Sequence, residues 1–155
     1  MQMLSKKSKY GLRALLALAR RADREPVLIA DLAKEEEIPK KFLELILLEL
    51  KNTGMLQSKK GKGGGYLLGR RPEQISLGEV IRVLDGPLAP LPCVSHQAYQ
   101  RCAECGDEAT CGIRAVMSDV RDATAAILDR ESLADVLRRT DQLKREKKKV
   151  LVYAI

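Results

Sequence analysis

The chain has 155 residues, of which 45% are hydrophobic and 32% charged, so it can pack a core and is not wholly disordered. Aromatic residues make up only 3%, which leaves few side chains for stacking on the bases of single-stranded nucleic acid. The net charge is +7, and it is concentrated in residues 1–71, where sixteen Lys and Arg face eight Asp and Glu. Such asymmetry is typical of a polyanion-binding module, although solvated surface charge produces the same pattern.

The N-terminal stretch becomes charged again too soon for a secretory signal peptide, and no apolar run approaches the roughly 20 residues of a membrane helix. We therefore expect a cytoplasmic protein with no membrane partner. In that compartment four cysteines favour metal or redox chemistry over structural disulfides.

A first helix is predicted over residues 5–21, with Ser5 as its N-cap and apolar residues at helical spacing. Its first turn carries Lys6, Lys7 and Lys9, which oppose the helix dipole. A phosphate partner would explain these cations, and ordinary surface lysines remain the alternative.

Two further helices and a hairpin follow. The second helix begins near Asp31, and the third covers residues 39–52, with Pro39 as its first residue and Lys40 and Lys41 in its first turn. Short strands at 55–57 and 66–68 flank a loop that contains Ser58, Lys59, Lys60 and Lys62 among glycines. The pattern predicts a winged helix-turn-helix, in which the third helix enters the major groove and the hairpin wing contacts the adjacent backbone or minor groove. The loop lacks the nucleotide-binding pattern G-x-x-x-x-G-K-[ST].

A fourth helix is predicted over residues 75–84, with Ser76 and Glu79 forming a capping box. Residues 86–111 show no periodicity. A heptad-like seam of apolar positions then predicts a long helix, with Ile113, Met117, Val120, Thr124 and Ile127 on its apolar side. The seam can pack against the chain's own domain or against a second copy, and we favour a homodimer because the remaining core is thin. We expect a short closing helix over 133–137 and a basic tail. The predicted regions are a DNA-binding domain (1–84), a cysteine-containing sensor loop (85–111), the dimerisation and closing helices (112–137) and the tail (138–155).

The aperiodic loop holds Cys93, Cys102, Cys105 and Cys111. Their spacing matches neither a zinc ribbon nor the ferredoxin run, but four thiols in one loop are unusual for core cysteines. Cys102 and Cys105 form a C-x2-C pair that can bring two thiolates to one metal ion. His96, the only histidine, is either a further ligand or an exposed loop residue.

Several motifs resemble those of the Rrf-two family of bacterial transcription regulators, the group of the IscR, NsrR and CymR type. They are the segments at 4–15, 38–44, 58–66 and 75–77, and the resemblance covers about residues 3–137. It implies a mainly helical fold with a small β-hairpin wing, a long dimerisation helix, and a homodimer on a palindromic operator in double-stranded DNA. It also implies, in some members, a [2Fe–2S] or [4Fe–4S] cluster held by three cysteines and a fourth ligand.

Carried onto this chain, the resemblance makes Glu44 a base-reading residue and Lys60 the counterpart of a wing arginine. Cys105 and Cys111 match the second and third family cysteines, whereas the gap from Cys93 is longer and Cys102 is additional. The positions that supply a fourth ligand in other members hold Arg114 and Lys9 here. Our hypothesis is therefore that all four ligands are Cys93, Cys102, Cys105 and Cys111.

The predicted function is that of a homodimeric transcriptional regulator whose DNA binding is controlled by an iron–sulfur cluster. The expected DNA contacts are Ser5, Lys6, Lys7, Lys40, Lys41, Glu44, Ser58, Lys59, Lys60 and Lys62. One alternative is a metal-free regulator in which Cys102 and Cys105 form a reversible disulfide. A more distant alternative is an iron–sulfur electron carrier or metalloenzyme, but the sequence shows no catalytic constellation, so we expect no enzyme.

Overall fold

The computed structural model describes residues 4–21 and 23–154, so residues 1–3, 22 and 155 of the predicted segments lie outside it. The described residues form helices around one two-stranded antiparallel sheet. In chain order the elements are α1 (Lys6–Ala19), α2 (Ile29–Glu35), α3 (Lys40–Asn52), β1 (Leu56–Lys59), β2 (Gly65–Leu68), α4 (Leu77–Asp85), α5 (Gly112–Arg130) and α6 (Leu133–Tyr153), with single 3₁₀ turns at Pro72–Gln74, Pro92–Val94 and Glu108–Thr110. The predicted winged helix-turn-helix with a long helix after it is confirmed.

One hydrophobic core holds the first four helices and the wing together. Four residues of α3 at helical spacing are fully buried, and α1, α4 and the wing cover them. Tyr10 and Phe42 close one side of this core with an edge-to-face contact, their ring centroids 5.7 Å apart. Each fully buried leucine contributes about 2 kcal/mol relative to an exposed one, so α3 is held firmly in place by its inner face. Those four residues are Leu43, Ile46, Leu47 and Leu50.

The turn between α2 and α3 is tight and partly strained. Glu37 adopts a left-handed backbone conformation with φ of 53°, which side chains other than glycine rarely take. Ile38 then donates its N–H to the Ala33 carbonyl at 2.9 Å and buries its side chain. Pro39 is the N-cap of α3 and not its first residue, because its ψ of 124° is extended, so that detail of the prediction is wrong.

The wing pairs Leu56 with Leu68 and Lys59 with Gly65. At Gly65 the fold leaves no room for a side chain. A Cβ at Gly65 would lie 2.3 Å from the Val27 carbonyl oxygen, and Gly65 also has a φ of 143°. This close approach lets Val27 exchange two backbone hydrogen bonds of 2.8 Å with Tyr66, which ties the wing to the segment before α2.

The start of α6 returns to the first part of the chain. Ser76 and Ser132 form an isolated antiparallel bridge, flanked by hydrogen bonds of 2.9 Å from Leu77 N–H to the Glu131 carbonyl and from Leu133 N–H to that of Ile75. The junction between α5 and α6 is thereby fastened to the start of α4.

Ser76 caps α4 as predicted and accepts from the Glu79 N–H at 3.1 Å. The other half of the predicted capping box is absent among the described contacts, because the Glu79 carboxylate instead binds the Arg70 guanidinium at 2.6 Å.

Helix α6 is much longer than the predicted closing helix over 133–137. It runs to Tyr153, so the prediction of a short helix followed by a tail without assigned structure is wrong. Ser132 and Asp135 form a capping box at its start, and no proline or glycine follows to stop it. Only its first turns are buried, and from Asp141 onward every described residue is exposed. The domain boundaries themselves stay predictions.

Within residues 4–21 and 23–154, no helix combines the length and the apolar composition that crossing a bilayer requires.

Candidate nucleic-acid interface and cysteine loop

The outer face of α3 is polar at its N-terminal end. Lys40, Lys41 and Glu44 are exposed there, opposite the buried leucines. In the described part of the chain none of the three takes part in an ion pair. Because the inner face fixes the helix, these side chains are held in a constant orientation with their charged ends in water.

The wing presents a second set of cations. Lys59, Lys60 and Lys62 are exposed at and beyond the end of β1, whereas Ser58 is half-buried opposite Tyr66. Gly61 and Gly63 have φ values of 89° and 77°, which the turn between the strands requires. The tip is therefore compact, and three ammonium groups are carried on a short backbone segment.

The N-terminus of α1 differs from the other two sets. Ser5 caps α1 by accepting from Ser8 N–H at 3.1 Å, and both its N–H and its hydroxyl donate to the Asp85 carboxylate. Lys7 pairs with Glu49 at 2.7 Å. Lys6 is exposed, with its ammonium 5.9 Å from the Tyr10 ring centroid. Of these predicted contacts, Ser5 and Lys7 are engaged within the chain, and Lys6 faces solvent.

Asp85 lies beside Ser5 at the start of α1, a position that the sequence does not predict. Burial alone would raise the pKa of its carboxyl, but the hydrogen bonds from Ser5 outweigh burial and hold the pKa below its usual value. A carboxylate at the start of α1 compensates the lysines that oppose the helix dipole there. The contact joins residues 80 positions apart, so no local pattern indicates it.

The cysteine loop is attached to α5 by arginine side chains. Cys93 is only 7% exposed, in the 3₁₀ turn Pro92–Val94. Its carbonyl accepts from Arg114 Nε at 3.3 Å, and the Val94 carbonyl accepts from Arg121 at 2.6 Å. Cys93 is therefore fixed against the side of α5.

The other three thiols are partly exposed near the start of α5. Cys105 donates its N–H to the Cys102 carbonyl at 3.4 Å, as expected for a C-x2-C turn. Cys111 is the N-cap of α5, and its sulfur accepts from Arg114 N–H at 3.4 Å. The Cys105 and Cys111 thiols are close enough for each to shift the pKa of the other, and Cys102 is close enough to act on Cys105 electrostatically.

This arrangement shifts the pKa values of Cys105 and Cys111 in opposite directions. The backbone N–H of Arg114 lowers the pKa of Cys111, with smaller contributions from Cys105, from the Ile113 N–H and from the Arg114 charge. Desolvation and the neighbouring Cys111 thiol raise the pKa of Cys105. Cys111 is therefore the more readily ionised thiol of the pair.

Thiolates are the ligands that iron–sulfur clusters use, so the chemistry of this loop fits such a group. Among the described residues, however, no three Cys, His, Asp or Glu side chains are arranged to hold a metal ion. The four thiols would therefore have to come closer together to hold a cluster, and one of them, Cys93, would do so from a buried position. His96 is exposed and lies beside Arg121 and Asp122.

Helix α5 has no buried residue, although one of its faces is apolar. Ile113 is 69% exposed and Ile127 55%, and Val116 and Val120 lie on the same side. The predicted seam residues Met117 and Thr124 are half-buried, and Thr124 lines a cavity together with Ile81 of α4. The apolar strip that remains open shares Ile113, Val120 and Ile127 with the predicted seam and adds Val116 and Ala123.

A helix-turn-helix followed by a wing of this kind, with its basic outer surface, defines a DNA-binding transcriptional regulator. Residues 4–139 match the Rrf2 family model, which is described as an iron-dependent transcriptional regulator. The chain therefore belongs to the Rrf2 family, a family of transcriptional regulators and not of enzymes.

Individual relatives agree with this assignment. An rrf2-like HTH-type transcriptional regulator of Rhodobacter capsulatus is 44% identical over 138 residues, which is 87% of this chain and 92% of the relative. The structure of CymR, the global cysteine regulator of B. subtilis, superposes with a TM-score of 0.72 at 31% identity, covering 88% of this chain and 96% of CymR. T. potens IscR superposes with a TM-score of 0.71 at 26% identity, covering 90% and 89%.

Proposed function

We propose that this chain acts as a homodimer on a palindromic operator, and that an iron–sulfur cluster in the cysteine loop controls its affinity for DNA. The observation that carries the proposal is the position of Cys111, which is both a thiol of the loop and the N-cap of α5. Chemistry at this sulfur acts directly on the first turn of the helix that would join the two subunits.

The DNA contacts would come from Lys40, Lys41 and Glu44 on α3 and from the wing lysines. A helix-turn-helix places the N-terminal end of its second helix in the major groove. In this chain that helix is α3, and the exposed side chains lie at its N-terminal end. Glutamate can accept a hydrogen bond from the cytosine amino group, and the lysines can pair with phosphates.

Salt-dependent binding tests the wing. Lys60→Ala should reduce the slope of log affinity against log salt concentration by about one unit, because one phosphate contact is lost. Lys51→Ala, at the opposite end of α3 from Lys40, is the matched control and should leave the slope unchanged. An unaltered slope in Lys60→Ala would remove the wing from the interface.

Cys102, Cys105 and Cys111 would hold the cluster, with Cys93 as the fourth ligand. When bound, the cluster supplies a redox-active centre and a link between the loop and α5. The protein's own part is to fix the loop. Arg114 and Arg121 hold the Cys93 end against α5, and Arg82 holds the far end of α5 through Asp129, with N–O distances of 2.6 and 2.9 Å.

The cluster is tested on protein purified without oxygen. We expect visible absorption, iron and acid-labile sulfide, and we expect Cys105→Ser and Cys93→Ser to lose all three. His96→Ala is the control and should keep them. Colourless wild-type protein without iron would reject the cluster, whereas loss of iron in His96→Ala alone would reject the four-cysteine ligand set.

A second candidate is a metal-free thiol switch, which the proximity of Cys105 and Cys111 favours, since each thiol shifts the pKa of the other. Peroxide would oxidise the two thiols to one disulfide and be reduced to two waters. Mass spectrometry of peptides after peroxide treatment would show a Cys105–Cys111 bond if this is correct, in place of the Cys102–Cys105 bond expected from the sequence. Recovery of only free thiols would exclude the switch.

A further inference from the structure

The outer face of α3 contains two large apolar side chains that the fold does not use. Leu45 is 61% exposed and Leu48 48%, although the other leucines and isoleucine of this helix are fully buried. Exposed leucine side chains in water contribute nothing to the core, and a polar residue would serve a solvated helix face equally well. Two on one face of a 13-residue helix therefore indicate a surface that is covered in use.

Their position identifies what covers them. Leu45 follows Lys41 by four residues and Leu48 follows Glu44 by four, so these four side chains share one strip of the helix surface. The strip is flanked by Lys40 at one end, and the basic wing belongs to the same DNA-binding unit. A polyanion with an apolar group at matching depth is the occupant that this combination of charge and hydrophobicity fits.

We infer that Leu45 and Leu48 contact the 5-methyl groups of thymines in the major groove of the operator. The thymine methyl is the apolar group that base pairs present in that groove. The two leucines are about 4.5 Å apart along the helix axis, and successive base pairs are about 3.4 Å apart, so they reach neighbouring thymines. The inference rests on the proposed placement of α3 in the major groove, and it names part of the sequence that α3 reads.

The test compares thymine with uracil, which lacks only the methyl group. The probe is a duplex that the wild-type protein selects from a random library, with each thymine replaced singly by deoxyuridine. At one or two positions in each half-site we expect about a fourfold loss of affinity, the equivalent of one methyl group left unburied. No loss at any position would overturn the inference.

Substitution of the leucines assigns the effect to them. In Leu45→Ala or Leu48→Ala the thymine and uracil duplexes should bind equally at the position that each residue contacts. Alanine favours helix, so α3 should keep its structure, and urea unfolding verifies this. Leu143→Ala, at an exposed leucine of α6, is the matched control and should preserve the preference for thymine.

Failure of the inference is distinguishable from failure of the proposed interface. If no duplex is selected, the placement of α3 on DNA fails as well. If a duplex is selected and Lys60→Ala flattens the salt dependence, but both leucine variants keep the thymine preference, only the inference is overturned. A change of oligomeric state in Leu45→Ala, measured by sedimentation, would instead assign this face to a contact between subunits and would also overturn it.

Discussion

Residues 4–85 and residues 86–154 are both mainly helical in this structure, yet they bury their side chains very differently. The first region encloses a continuous core in which α1, α3 and α4 each contribute several buried residues. In the second, α5 has no buried residue, and α6 buries only Leu133 and Ala134. The first region takes only Leu133 of the second into its core, whereas most of α5 and α6 is left with open surfaces that another molecule could cover.

The largest expected effect tests the first half. Leu47→Ala removes a fully buried side chain and should lower the free energy of unfolding by about 2–5 kcal/mol, measured by urea denaturation. Leu143→Ala makes the same change on exposed α6 and should alter it by less than about 0.5 kcal/mol. Equal losses in the two variants would contradict the contrast.

The next effect tests the second half. Ile127→Asp places a charge in the apolar strip of α5 and should weaken the proposed dimer by about ten- to a hundredfold, because the carboxylate would be buried there without a partner. Ala126→Asp introduces the same charge one position away, on a different side of the helix, and should leave the dissociation constant unchanged. Sedimentation at several concentrations measures both, and a dimer unaffected by Ile127→Asp would exclude the strip as the interface.

A smaller effect concerns the contact between Asp85 and Ser5. Asp85→Asn should destabilise the protein by about 1 kcal/mol at neutral pH, since it removes a charged acceptor at the start of α1. The pKa of Asp85 is lower in the folded protein, so this stabilisation is present above the ordinary carboxyl pKa and is lost as pH falls through the folded-state value. Wild type and variant should therefore converge in acid, and Asp119→Asn should show no comparable difference.

The smallest expected effect is an increase in stability. Glu37→Gly should raise the free energy of unfolding by about 0.5 kcal/mol, because glycine adopts the left-handed conformation at this turn without strain. The gain is small because glycine also increases the conformational entropy of the unfolded chain. Lys34→Gly, inside α2, should have the opposite sign. Destabilisation by Glu37→Gly would show that contacts of the Glu37 side chain contribute more to stability than its backbone strain costs.

The elements that the sequence predicts well are those whose signals are local. The apolar spacing of α3, the lysines and glycines of the wing, and Ser76 as the cap of α4 are each encoded within a few residues. Helix α6 is longer than the sequence predicts, and the reason is physical. Its charged run predicts a basic tail, but lysine, arginine and glutamate are also good helix formers, and nothing in the run stops a helix.

The candidate site was less predictable, because its geometry depends on distant contacts. The sequence identifies four cysteines in one loop, but the loop has no periodicity from which to place them. The placement of Cys93 depends on Arg114 and Arg121, which hold the carbonyls of Cys93 and Val94 against α5. The proximity of Cys105 to Cys111 also depends on how the loop folds at the start of α5. The joining of Ser5 to Asp85 likewise requires the packed fold.

The ion pair between Arg82 and Asp129 has a mechanical consequence. It lies near the end of α5, beside the backbone bridge of Ser76 and Ser132, whereas Cys111 lies at the other end. With about 1.5 Å of rise per residue, some 28 Å of helix separate the two ends. A displacement of about 1 Å at the sulfur then turns α5 by about 2° around a pivot that belongs to the DNA-binding half, and the whole apolar strip moves with it as a rigid lever arm.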